Sequence, residues 1–180
     1  MEKPTLKGKN ITLRPITKAD AQAMFAGVNE PEGSRLTGTT ATFTFEQVEA
    51  HCARVFEADD RVDLAITLPD GQYVGEVVLN EIDTDNRSAV FRTALAGPEH
   101  YNKGYGSEAL ELLLDYAFGP LNLHRIDLEV FAFNPRALHV YEKVGFVREG
   151  LKREVLWWDD EWVDVIVMGI LEKDYAAKRT

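Results

Sequence analysis

The chain has 180 residues, 45% hydrophobic, 28% charged and 10% aromatic, with 13 Gly and 7 Pro. That composition excludes a disordered, collagenous or low-complexity protein, and the single cysteine, Cys52, excludes a disulfide framework or a cysteine-rich zinc site. The 30 acidic against 20 basic residues leave a net charge of −10, which repels phosphate backbones and argues against nucleic acid as the main partner.

A chain this long buries roughly 70% of the surface its unfolded form exposes, so a single domain over residues 1–180 is expected. The opening MEKPTLKGKN lacks the apolar core of a signal peptide. The longest aliphatic runs, such as Val165 to Leu171, fall short of the ~18 apolar residues that span a bilayer. With one cysteine, these features fit a reducing, cytoplasmic setting.

In chain order, residues 10–16 (NITLRPI) alternate as a first strand. Thr17 caps a helix with Asp20 in its first turn and Ala21, Met24, Phe25 and Val28 as its apolar stripe. Pro31, Gly33 and Gly38 break the chain into a loop. A second helix starts at Thr44, which has capping-box spacing to Gln47, while Phe43 and Val48 stand where a hydrophobic staple would. Val48, Cys52, Val55 and Phe56 share one face, so Cys52 reads as core. Residues 63–68 and 73–82 flank Pro69-Asp70-Gly71 and, with 88–96, make an antiparallel meander.

The character then changes. NKGYGSEA at 102–109 opens a helix whose apolar face is Ala109, Leu110, Leu113, Leu114, Ala117 and Phe118. A strand at 124–133 leads into Asn134-Pro135, an N-cap followed by proline at the first helical position, and this short helix stops at Gly145. A last hairpin, roughly 151–158 and 162–171, turns at Asp159-Asp160. No repeat or linker interrupts the pattern. The fold class is α/β (α+β).

Gly104 and Gly106 carry the clearest chemistry. Glycines at a helix start let the backbone approach an anion, and unpaired N–H groups there point at it, with Lys103 adjacent. The spacing does not match a Walker A loop, and the third glycine of a dinucleotide fold is absent. A tight turn is the plain alternative. Asn134 and Tyr141 stand two helical turns apart and face one groove; alone, the first reads as a cap and the second as core. His124 and His139 have no ligand at metal spacing, so no metal is expected.

YNKGYGSEALELLLDYAF at 101–118, LHRIDLEVFAFNPRALHVYEKVGF at 123–146 and the hairpin WWDDEWVDVIVMGIL together resemble the GNAT acyltransferases. Within them the similarity runs to the ribosomal-protein N-terminal acetyltransferases and the bacterial polyamine acetyltransferases. It covers the chain from Leu13-Arg14-Pro15 to Leu171.

The resemblance implies a mixed sheet of about seven strands, splayed at strands 4 and 5 and flanked by about four helices. It also implies acetyl-CoA as co-substrate. The loop of Tyr101, Asn102, Lys103, Gly104, Tyr105, Gly106 and Ser107 would wrap the pyrophosphate. The strand ending in Leu95 and Ala96 would pair with the pantetheine arm and Asn134 would bond it. Tyr141 would protonate the departing thiolate. The family often has Gln or Arg where Tyr101 stands, and Ser where Ala137 stands.

Acetyl transfer to an amine also needs an oxyanion donor, expected at the backbone N–H of Leu95 or Ala96, and a base. Tyrosine, with an ordinary pKa near ~10, holds the proton a general acid must give. For the base, Glu76 and Glu81 are the candidates. Their parity differs, so in a regular strand they face opposite sides. Glu81 is preferred, because the polyamine branch tends to carry an acid there; a solvent-facing carboxylate is its plain alternative.

The acidic stretches Glu57, Asp59, Asp60, Asp63 and Glu81, Asp83, Asp85 suit a polyamine acceptor, while the ribosomal-protein likeness suits a peptide α-amine. An inactive acyl-CoA sensor is the non-catalytic alternative. Trp157, Trp158 and Trp162 on the last hairpin suit either core or a homodimer contact.

Overall fold

The computed structural model describes residues 2–178. Strand β3 (Val62–Thr67) is buried at all six of its positions. It lies inside an eight-stranded sheet whose spatial order is β1-β2-β3-β4-β5-β6-β8-β7. The others are β1 (Leu6–Lys7), β2 (Thr12–Pro15), β4 (Tyr73–Asp83), β5 (Ser88–Leu95), β6 (Arg125–Phe131), β7 (Val147–Trp158) and β8 (Glu161–Leu171). Strands β3 to β5 form the expected antiparallel meander, and β2 extends it by pairing antiparallel with β3.

Among the described residues only β5 and β6 pair in parallel, through Ser88↔Arg125, Ala89↔Ile126 and Val90↔Asp127. Beyond Val90 and Asp127 both strands continue without pairing to each other, to Leu95 and Phe131. The sheet therefore opens a wedge between them. This is the implied splay, shifted by one in strand number because Leu6–Lys7 adds a short strand against Thr12 and Leu13.

Helix α4 (Tyr105–Phe118) packs Ala109, Leu110, Leu113, Leu114 and Ala117 onto one sheet face, against Leu64, Ile66, Val77, Leu79 and Phe91. Helices α1 (Ala21–Val28) and α3 (Phe45–Glu57) cover the other face, where Met24, Val48, Cys52 and Val55 meet Ile16 and Ala65. Cys52 is fully buried, as its helical position predicts. The capping box at Thr44 and Gln47 forms in both directions, at 3.3 and 2.9 Å.

Among the described residues six α-helices form rather than four. The segment expected to be a loop is helix α2 (Pro31–Thr37). Its ends explain it. The Glu30 carboxylate accepts from the backbone N–H groups of Glu32 and Gly33 at 3.0 and 2.6 Å, Pro31 occupies a first-turn position, and Gly38 takes the left-handed conformation at φ 66°. Proline just inside a helix and glycine just past it are start and stop signals, not breakers. The other additional helix is α6 (Glu172–Lys178); the helix after Asn134 is α5 (Pro135–Val144).

Candidate functional site

Two cavities meet over strands β4 and β5. One, of about 310 Å3, fills the wedge and is lined by Thr93 and Leu95 of β5, Phe131 of β6, Gly104 and Ser107 of the glycine loop, and Tyr141 of α5. The other, of about 570 Å3, lies on the face covered by α1 and α3. Glu76, Val78, Arg92, Ala94 and Leu95 border both.

The glycine loop fits an anion. Gly104 adopts φ 83°, a left-handed conformation that favours glycine, and a Cβ placed on Gly104 or Gly106 would meet nothing within 4 Å. The first backbone bond of this turn runs from the Glu108 N–H to the Gly104 carbonyl at 3.0 Å. The N–H groups of Tyr105, Gly106 and Ser107 thus lie in the first helical turn, where the helix makes no partner for them and its positive end faces the cleft. Open space, spare donors and a helix terminus form a cradle a phosphate would fill. Lys103 is exposed beside the loop and does not line the cleft. Asn102 lines it in a left-handed conformation, φ 59°.

Arg136 adds a cation that the sequence reading overlooked. Its guanidinium lies over the Tyr101 ring, 4.2 Å from the centroid, and both residues line the cleft. The side chain was legible as the third residue of Asn-Pro-Arg-Ala, but its direction depends on how α5 sits against the loop.

Backbone parity separates the two predicted oxyanion donors. The Ala96 N–H donates to the Val74 carbonyl at 2.9 Å, so it is committed to β4. In an antiparallel ladder alternate residues turn their N–H groups to opposite sides, so that of Leu95 faces the wedge. Ala96 lines the larger cavity instead.

Asn134 caps α5, its side-chain oxygen accepting from the Ala137 N–H at 3.1 Å, and lines the cleft as well. Tyr141, two turns on, is buried at 9% exposure, with its ring edge-on to Phe91 at 6.1 Å. Burial alone pushes its hydroxyl up to about 12, so it stays protonated across the neutral range.

The two glutamates separate sharply. Glu81 sits in a bulge, where the register slips between Asn80↔Val90 and Asp83↔Ser88, and takes φ 53°. It is exposed and lines neither cavity. The structure does not bring it to the site: it stands five residues along β4 from Glu76, in the bulge, where it is exposed to solvent. Glu76 pairs across to Ala94 and stands where the cavities join. Burial, aided by the nearby Asp63 charge, pushes its carboxyl up to about 7 against the pull of Arg92 and Arg61. Its Oε2 is buried without a hydrogen-bond partner among the described residues.

The acidic stretches do not line the cavities as a group. Only Asp63 does, and Arg61 grips it through two hydrogen bonds of 2.6 and 2.7 Å. Among the described residues, no helix is long and apolar enough to cross a membrane.

Residues 10–147 match the family described as an acetyltransferase (GNAT) domain. The chain is 40% identical over 121 residues to the spermidine N(1)-acetyltransferase of Vibrio cholerae, covering 66% of this chain and 69% of that protein. It is 31% identical over 187 residues to the probable N-acetyltransferase YjcK of Bacillus subtilis, covering 94% and 98%. A crystal structure of the Vibrio cholerae spermidine N-acetyltransferase in complex with CoA and spermine superposes with a TM-score of 0.87 at 30% identity, over 94% of this chain and 99% of that one.

Proposed function

The chain belongs to the GNAT acetyltransferase family and is an N-acetyltransferase; from that premise we propose that it moves an acetyl group from acetyl-CoA directly to a primary amine. The observation that carries the proposal is the convergence on one wedge of the glycine loop, the Leu95 N–H, Tyr141 and Glu76. The CoA thioester supplies the activated acetyl group. The loop N–H groups of Tyr105, Gly106 and Ser107 hold the pyrophosphate, with the Arg136 guanidinium nearby. The free edges of β5 and Asn134 meet the pantetheine amides.

Glu76 accepts the proton that the amine sheds. A carboxylate with a pKa near 7 matches the operating pH, as a general base should. The Leu95 N–H donates to the oxygen where negative charge develops. Tyr141 then gives its proton to the departing thiolate. The N–C bond forms first, leaving the carbonyl oxygen as a tetrahedral oxyanion, and the C–S bond breaks as that oxyanion collapses, without a covalent bond to the protein.

The test is CoA-thiol release from acetyl-CoA with spermidine, the acceptor named for the relatives, and with a short peptide bearing a free N-terminus. Release that depends on an amine supports the transferase reading. Acetyl-CoA binding with no release over a broad amine panel would favour the non-catalytic sensor. A cytoplasmic location belongs to the same proposal, supported by the lone free thiol of Cys52. So does a homodimer contact through the last hairpin, supported by the exposed Val147, Leu151, Val155, Trp157 and Trp162.

A further inference from the structure

The walls of the larger cavity carry an unexpected charge. The molecule has a net charge of −10, yet the ionisable lining of this cavity includes three arginines, Arg54, Arg61 and Arg92, against two carboxylates, Asp63 and Glu76. Neither carboxylate is available to an incoming cation as a simple counter-ion. Asp63 is 1% exposed and held by Arg61. Glu76 is half-buried with its Oε2 shielded from solvent and, near neutral pH, spends part of its time uncharged.

The arginines are differently placed. The Arg54 Nη2 lies 2.9 Å from His51 Nδ1, and among the described residues its side chain makes no ion pair. Arg92 is exposed and, among the described residues, makes no hydrogen bond and no ion pair. The cross-strand partners Asp63↔Val78↔Arg92 and Ala65↔Glu76↔Ala94 put Arg92 on the same sheet face as Glu76, one diagonal step away. Such neighbours lie about 7–8 Å apart, within reach of two long side chains. His51 reports the same field: burial first, then Arg54, with smaller effects of Arg61 and Arg92, lowers its pKa despite the opposing pull of Asp63.

We infer that the acceptor of this enzyme is a small primary amine that also carries an anionic group, a carboxylate or a phosphate, with the amine directed to Glu76 and the anion to Arg92. The inference rests on the N-acetyltransferase reading and narrows its substrate class. A tricationic polyamine would bring its charges against Arg54 and Arg92 without finding a free carboxylate, whereas a guanidinium matches the planar geometry of a carboxylate or the face of a phosphate. Like-charge juxtaposition is the means by which the cavity rejects the wrong amine. An exposed arginine with no hydrogen bond or ion pair among the described residues, facing a cavity beside a half-buried base, is the feature that needs this explanation.

The experiment uses the full chain and matched amines: 4-aminobutyrate with butylamine, O-phosphoethanolamine with ethanolamine, and spermidine. CoA-thiol release and equilibrium binding to the CoA-saturated protein are both measured. At least one anionic amine should exceed its neutral partner and spermidine by tenfold or more in kcat/KM, and R92Q should erase at least tenfold of that preference. Whichever anionic amine leads identifies the anion. Faster release with spermidine or the neutral amines overturns the inference and leaves acetyl transfer standing. Selective binding of an anionic amine, lost in R92Q but without thiol release, supports the anion site and overturns catalysis. Equal or absent binding of the anionic amines, with no preference in rate, overturns the inference.

Discussion

Glu76→Gln should make the protein more stable and less active, and the two effects have one origin. The Glu76 carboxyl titrates at about 7 in the folded protein against an ordinary value of 4.5. The folded state therefore holds this proton more tightly than the unfolded state does, so between these values the folded state binds more protons. Stability falls as pH rises through that window. At about 1.4 kcal/mol for each tenfold in proton affinity, ionising the buried carboxylate costs about 3 kcal/mol by pH 8. Glutamine has nearly the same shape and never ionises.

Urea unfolding of wild type and variant at pH 8 should show the variant ahead by about 3 kcal/mol, shrinking to under about 1 kcal/mol at pH 5. Loss of a general base should lower turnover by about 10²- to 10⁴-fold and abolish the rise in rate through pH 7. Equal stabilities at pH 8 would mean that Glu76 is not held neutral by burial. A stabilised variant that kept full activity would remove Glu76 from the chemistry.

Tyr141→Phe keeps the ring contact with Phe91 and removes only the hydroxyl, so turnover should fall by about 10²-fold with acetyl-CoA affinity nearly unchanged; steady-state kinetics beside a binding titration would show whether it does. In wild type, a hydroxyl that titrates at about 12 should give no alkaline fall in rate up to pH 10, and a fall near pH 9 would contradict its assignment. Gly104→Ala forces a side chain into φ 83° and should cost about 1–2 kcal/mol, read as a lower thermal midpoint, while weakening CoA binding. Cys52, fully buried with its thiol pushed up to about 11 by burial, should resist alkylation at pH 8 until urea unfolds the chain; rapid labelling of the native protein would refute that.

The pattern of apolar residues laid out most of the sheet and both principal layers of helix, because periods of 2 and 3.6 depend only on neighbours along the chain. Gly104, Gly106, Asn134 and Tyr141 were legible for the same reason: each stands at a helix start or a fixed spacing from one. Helix α2 was misread although Pro31 and Gly38 marked its ends, since the segment has no long apolar stripe to announce it. Glu81 was preferred over Glu76 on the likeness to the polyamine branch, and its place in a two-against-one bulge is invisible until the partner strand is known. Arg92 is harder still. Its meaning comes from lying diagonal to Glu76, a relation set by register between strands rather than by the local sequence.

The short parallel seam between β5 and β6 also bears on how the molecule assembles and comes apart. Strands β2 to β5 each pair with their predecessor in sequence, and β6, β7 and β8 form a second set with β8 in the middle. Within each set the neighbouring strands pair antiparallel, whereas the two sets are joined through the crossover over α4 by only three parallel paired positions. The least costly partial opening of the native state should therefore run along this seam rather than through either half. Such a line of weakness passes through the active cleft, so a molecule bridging it acts as a rivet. Amide exchange at Phe91–Leu95 and Leu128–Phe131 should slow first when CoA binds, ahead of any change in β2 or β3.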